Sequence, residues 1–137
     1  MCADSPAAEN IVFTGYLADE DLCALYSSCA ALIYPSVYEG FGLPPLEAMA
    51  CGAPVICSDI PAIKEVVGVA AQFVSPASVP ELTDALIELL NSTSIRKELV
   101  AAGAERVAQF SWTRTATATK SVYAEARERF SHSADEN

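Results

Sequence analysis

Ala31-Leu32-Ile33-Tyr34-Pro35-Ser36-Val37-Tyr38-Glu39-Gly40-Phe41-Gly42-Leu43-Pro44-Pro45-Leu46-Glu47-Ala48-Met49-Ala50-Cys51-Gly52-Ala53-Pro54-Val55-Ile56-Cys57 reads as strand, loop, helix and strand. The apolar run of residues 31–34, stopped by Pro35, predicts the first strand. Pro44 and Pro45 open a helix whose apolar stripe is Leu46, Met49 and Ala50, and Gly52 supplies its C′ position. Pro54-Val55-Ile56-Cys57 is apolar throughout, as parallel strands covered on both faces tend to be. Outward from this stretch the alternation continues. Ile11-Val12-Phe13-Thr14 predicts an earlier strand, and Asp19 opens a helix with Leu22, Leu25, Tyr26 and Cys29 on one face. A short helix around residues 63–67 precedes a weaker fourth strand at residues 71–74. Beyond it the chain turns helical. Ser78-Val79-Pro80-Glu81 forms a capping box ahead of Leu82, Ala85, Leu86, Leu89 and Leu90. A second helix carries Ile95, Leu99, Ala102 and Val107, and a third begins at Ser111 and carries Trp112, Tyr123 and Phe130. The pattern predicts an α/β architecture with a mainly parallel sheet of about four strands flanked by helices.

The chain has 137 residues, enough for one ordinary domain that folds without a disulfide or metal staple. A hydrophobic fraction of 52% and a charged fraction of 19% exclude an intrinsically disordered chain. No apolar run approaches the ~18 residues of a membrane span. Met1-Cys2-Ala3-Asp4 offers no basic n-region and no apolar h-region, so no signal peptide is expected and the expected compartment is the cytoplasm. The net charge is −10, and Lys64 is the first cation of the chain. Such a protein repels polyanions, so nucleic acid is not an expected partner. A phosphate bound by the front half has only backbone amides and helix dipoles to hold it, unless another chain brings a cation. The cysteines are Cys2, Cys23, Cys29, Cys51 and Cys57, and the single histidine is His132. An odd count without C-x-x-C supports neither a disulfide framework nor a zinc site. They read as small buried hydrophobes in a reducing compartment, and no metal ligand is assigned.

In parallel sheets ligands bind where strand ends meet helix N-termini, which selects the loop between Tyr34 and Pro44. Gly40 and Gly42 permit close approach of a ligand to the backbone. Pro44 and Pro45 donate nothing, so the free donors at the helix N-terminus concentrate on Gly40, Phe41, Gly42 and Leu43. With the helix dipole behind them, these amides form an anion site. Glu39 and Glu47 bracket it. Ionised carboxylates accept hydrogen bonds and suit polyol hydroxyls rather than phosphate. An anion site with an acceptor on each side describes a sugar, a diphosphate and a ribose. A lone G-x-G before a helix is equally compatible with a plain tight turn, and the two glutamates with a dipole-stabilising and a solvated charge.

The longer string resolves more. Glu39-x7-Glu47 followed by Ala48-Met49-Ala50-Cys51-Gly52-Ala53-Pro54-Val55-Ile56-Cys57-Ser58-Asp59 closely resembles the donor-site segment of GT-B glycosyltransferases of the glycosyl transferases group 1 family (family 4). The resemblance continues in Phe13-Thr14-Gly15-Tyr16, Glu65-Val66-Val67-Gly68 and Phe110-Ser111-Trp112, and covers residues 10–126. It implies a Rossmann-like, truncated GT-B C-terminal domain over residues 1–130, followed by a disordered tail at 131–137. It further implies a retaining hexosyl transfer from a nucleotide diphosphate sugar, with no cofactor and no required metal. By the same resemblance Glu39 contacts donor-sugar hydroxyls and is the catalytic candidate. Gly40, Phe41, Gly42 and Leu43 hold sugar hydroxyls and the distal phosphate, and Glu47 binds the ribose. Tyr16 and Leu17 lie against the nucleobase.

Departures from the family pattern qualify those implications. Relatives carry an N-terminal acceptor domain, and an Arg and a Lys that neutralise the diphosphate. Nothing basic precedes Lys64 here, and Lys64 reads as an exposed surface lysine. Three readings follow: a glycosyltransferase donor-domain fragment, a non-catalytic nucleotide-sugar-binding module, or an inactive remnant. The resemblance also implies two strands that belong between residues 11–14 and 31–34. Without them the edge of the 31–34 strand is open, and a homodimer built around it is the expected way to cover that edge. The alternative is a monomer in which the first strand shifts inward.

Overall fold

The computed structural model describes residues 5–135, with side chains through residue 130. Among the described residues a short 3-10 turn (Ala8–Asn10) precedes six α-helices and three strands: α1 (Asp19–Ser28), β1 (Leu32–Tyr34), α2 (Leu43–Ala50), β2 (Val55–Ser58), α3 (Pro61–Val67), β3 (Gln72–Val74), α4 (Val79–Asn91), α5 (Thr93–Val107) and α6 (Trp112–Asp135). The strands form one parallel sheet in the order β1-β2-β3. Ile33 pairs with Ile56, and Cys57 with Phe73. All four residues of the central β2 are buried, as its unbroken apolar run requires.

The sheet separates two cores. On one face Val55 and Cys57 of β2 pack with Leu46, Ala48 and Met49 of α2 and with Ile63, Val66 and Val67 of α3. On the other face Ile56 and Val74 pack with Ala85 and Leu89 of α4. Alternate residues of one strand thus feed opposite layers. Helix α5 serves both: Ile95 and Leu99 lie against the second core, Ala102 and Val107 against the first. Arg106 ties its end to α3, where Nε donates to the Val66 carbonyl at 2.7 Å and a second guanidinium nitrogen donates to the Glu65 carbonyl. Those carbonyls lie in the last turn of α3, where a cation complements the helix dipole.

The sheet has three strands among the described residues, not four. Residues 11–14 pair with nothing in it, and Val12 and Phe13 are 81% and 79% exposed. A β-run holds its conformation through a partner's ladder, and no described strand lies beside this one; the apolar residues are left in water. The inward-shifted arrangement is therefore not adopted, and the outer edge of β1 pairs with no described strand. The capping box at Ser78 is half formed. Ser78 Oγ accepts from the Glu81 amide at 3.3 Å, but the Glu81 carboxylate takes the Ser75 amide at 2.8 Å instead of that of Ser78. The Ser78 amide already donates to the Ser75 carbonyl, so the side chain reaches one turn further. Helix α6 runs on to Asp135, past the boundary expected at residue 130, and residues 136 and 137 lie outside the described part.

Helices α2 and α5 pack closely at Gly103, where a Cβ would meet Met49 Cγ at 3.1 Å and Met49 Cβ at 3.2 Å. Met49 is 2% exposed, so the added group presses on a side chain already packed in the core. Gly103→Val is expected to cost about 2–3 kcal/mol, since the overpacking outweighs any helix-propensity gain. Urea denaturation measures it, and an unchanged midpoint would show that the two helices do not meet as closely as described.

Candidate functional site

Helix α2 begins where the backbone turns sharply. Gly42 is its N-cap with φ +98° and ψ +59°, a left-handed conformation that side-chain-bearing residues seldom adopt. The helix opens Leu43-Pro44-Pro45, so two of its first three positions have no N–H. Among the described residues, the amides of Gly40, Phe41, Gly42 and Leu43 donate to no other protein group. Four free donors thus gather at the positive end of an eight-residue helix buried along Pro45, Leu46, Ala48 and Met49.

Glu39 is held from within its own loop. Its Oε1 accepts from the Tyr34 hydroxyl and from Ser36 Oγ, the latter at 2.7 Å, while Ser36 Oγ also lies 3.0 Å from the Tyr38 carbonyl. Both bonds to one oxygen leave the other free to accept. The Tyr34 bond, then the Ser36 bond, hold the Glu39 carboxyl below its ordinary range. Burial first and then the Glu39 bond push the Tyr34 phenol up to about 12. Spacing alone singled out Glu39 but not its holders. The signal was present at short range, in a tyrosine closing the strand and a serine three residues before the glutamate.

Glu47 lies on the exposed side of α2, at the wall of a groove of about 470 Å³. Phe41, Leu43, Phe110 and Trp112 supply its apolar lining. The Phe41 and Phe110 rings meet edge to face at 6.0 Å and 85°, so the glycine loop rests on the segment that joins α5 to α6. Phe110 and Leu46 belong to the first core, as does Tyr34, which bonds Glu39. Both carboxylates therefore stand over the same face of the sheet, and neither forms an ion pair with a described residue. Tyr16 is 96% exposed after a turn in which Gly15 has φ +64°, and neither Tyr16 nor Leu17 lines the groove beside Glu47. Lys64 is half exposed, paired with Asp59, and its Nζ lies 5.6 Å from the centroid of the Phe73 ring. Among the described residues no group of three His, Cys, Asp or Glu side chains converges on a metal position. Among the described residues no helix is long and apolar enough to cross a membrane.

The Tyr34–Glu39 bond has a pH signature with two edges. Glu39 titrates below its usual value in the fold, so its contribution is present above that value and lost as pH falls through the lowered one. Tyr34 titrates above 10, so its contribution is present below 10 and lost as pH rises toward about 12. Tyr34→Phe is expected to return the Glu39 midpoint toward the ordinary carboxylate range in a carboxyl-carbon NMR titration. An unmoved Glu39 midpoint would mean that the bond is not made in solution.

Comparison with known proteins places this loop in a wider setting. Residues 2–106 match the family model for glycosyl transferases group 1. O-antigen chain mannosyltransferase B of Escherichia coli is 42% identical over 113 residues, covering 82% of this chain and 30% of that protein. MMP alpha-(1->4)-mannosyltransferase of Mycolicibacterium hassiacum is 44% identical over 114 residues, covering 80% of this chain and 28% of that one. The solved structure of sucrose-phosphate synthase from Thermosynechococcus elongatus superposes with a TM-score of 0.78 and 31% identity, over 88% of this chain and 31% of its own. The chain thus spans less than a third of the length of each of these proteins. The family model takes in the glycine loop, the helix behind it and all three strands of the sheet, and the chain belongs to the glycosyl transferases group 1 family.

Proposed function

We propose that this chain is the donor-binding part of a retaining glycosyltransferase, and that its ligand is a nucleotide diphosphate sugar carrying a hexose, mannose foremost. The observation that carries the reading is the set of four unengaged amides, residues 40–43, between the held carboxylate of Glu39 and the exposed one of Glu47. The two relatives named as mannosyltransferases support the choice of sugar. In this reading the distal phosphate sits on the amides. The free oxygen of Glu39 accepts from sugar hydroxyls, Glu47 accepts from the ribose, and residues 16 and 17 approach the base.

The transfer breaks the bond between the anomeric carbon and the phosphate oxygen, and the electron pair leaves on the phosphate. The acceptor hydroxyl bonds to the anomeric carbon on the face just vacated, and its proton passes to the departing phosphate. Charge grows on the phosphate at that moment, where preorganised N–H dipoles and a helix N-terminus are most effective. Glu39, pinned by Tyr34 and Ser36, fixes the sugar without having to be ordered at each turnover.

Binding without cations is weak. Each charge-assisted hydrogen bond that is missing costs on the order of 1.5–3 kcal/mol, about ten- to a hundredfold in affinity. The chain by itself is expected to bind GDP-mannose with a dissociation constant near the millimolar range, read by amide NMR titration alongside UDP-glucose and ADP-glucose. Shifts should centre on residues 39–47 and vanish in Glu47→Ala. Tight micromolar binding would show that a cation completes the site. No shifts at about 10 mM of any of the three, a level well above the expected constant, would reject nucleotide-sugar binding in favour of a remnant.

A further inference from the structure

We propose that Cys23 and Cys51 are a reversible thiol–disulfide pair, a modification site that staples α1 to the end of α2. Their sulfurs lie 3.2 Å apart, although 28 residues separate them in the chain. A disulfide needs about 2.05 Å between sulfurs, so small side-chain rotations close the bond. Cys51 is the C-cap of α2, beyond the last full helical turn, where the backbone can absorb such a rotation.

The remaining described cysteines are placed differently. Cys57 is completely buried in β2, with its thiol pushed by burial up to about 12. Cys29 donates to the Tyr26 carbonyl at 3.3 Å. Neither has a sulfur neighbour among the described residues. Cys23 is exposed and Cys51 is half-buried behind it, an arrangement of an entry thiol and a resolving thiol.

The oxidant is a low-molecular-weight disulfide such as glutathione disulfide. The Cys23 thiolate attacks one of its sulfurs, a mixed disulfide forms on Cys23, and one glutathione thiolate leaves. The Cys51 thiolate then attacks the Cys23 sulfur and expels the second glutathione thiolate. The two protons lost by the protein thiols end on the two glutathione thiols. The pair has been oxidised by two electrons and the reagent reduced by two. The loop so closed contains residues 24–50, and therefore the whole segment from Glu39 to Glu47. Cys51 follows Glu47 by one helical turn, so the cross-link lies directly behind that carboxylate.

The full chain treated with glutathione disulfide tests the proposal. The expected product has lost two free thiols and about 2 Da, with no retained glutathione. No Lys or Arg precedes Lys64, so trypsin leaves all five cysteines on one peptide. Cleavage after glutamate instead separates residues 21–39 from 48–65, and fragmentation of the joined pair should place the link between Cys23 and Cys51. The cross-linked chain should melt about 5–10 °C higher than the reduced one and return on treatment with dithiothreitol. Cys29→Ser should leave the reaction intact, while Cys23→Ser and Cys51→Ser each abolish it. A glutathione adduct that persists on Cys23, a link to Cys2, Cys29 or Cys57, or covalent dimers in place of the internal bond would each overturn it. The peptide readout uses the unsubstituted protein, so it holds even if a variant folds poorly.

Discussion

The seating of α2 is the constraint on which the rest of the molecule depends. One helix of eight residues touches β1 and β2 below it, α1 and α3 beside it, and α5 across it. Ala48 is wholly buried and Met49 nearly so, and the approach of α5 requires the missing Cβ of Gly103. At its N-terminus the same helix presents the free amides, and its C-cap holds Cys51 against α1. A shift of α2 by a fraction of an ångström would be felt at both ends together, because a close-packed interior transmits displacement rather than absorbing it.

Two cations of the helices around the first core are already engaged. Lys64 is taken by Asp59, and Arg106 by the carbonyls that end α3. One oxygen of the Glu39 carboxylate accepts from two neutral hydroxyls. Hydroxyl donors stabilise the ionised form without neutralising it, so the loop keeps a full negative charge beside an array of partial positive ones. That contrast sets an acceptor-only carboxylate and a row of donors within a few residues of one another.

The two-faced core and the order of elements were legible because apolar period and punctuation agreed: prolines opened α2, α3 and α4, and β2 was apolar without interruption. The run at residues 11–14 had the same composition but not the same outcome, since strand identity is conferred by a partner and no local signal shows whether one exists. Glu39 and Glu47 were singled out by spacing and by the family pattern, and each stands beside the first core. Tyr34 read only as the last residue of a strand, yet its body packs into the core and its hydroxyl reaches the loop. The cysteines read as buried hydrophobes; that suits Cys57, whereas Cys23 is exposed and meets Cys51 only through tertiary packing.

The two halves of the site differ in what they require. Glu39 finds its partners three and five residues away, so its loop assembles from local contacts alone. Glu47 shares a groove with Phe110, Trp112 and Thr115, which reach it only after α5 has crossed α2 and the chain has turned into α6. The edge-to-face contact of Phe41 with Phe110 joins the two, placing an aromatic from the local half on one from the distant half. Arg106 lies 5.0 Å from the centroid of the same Phe110 ring while bonding α3, so the ring meets a cation as well as an aromatic. The groove beside Glu47 therefore depends on the docking of α5, and that docking on Gly103, a residue with no side chain and no place in the chemistry. The local half sets which groups the loop presents, and the long-range packing sets how far apart they stand.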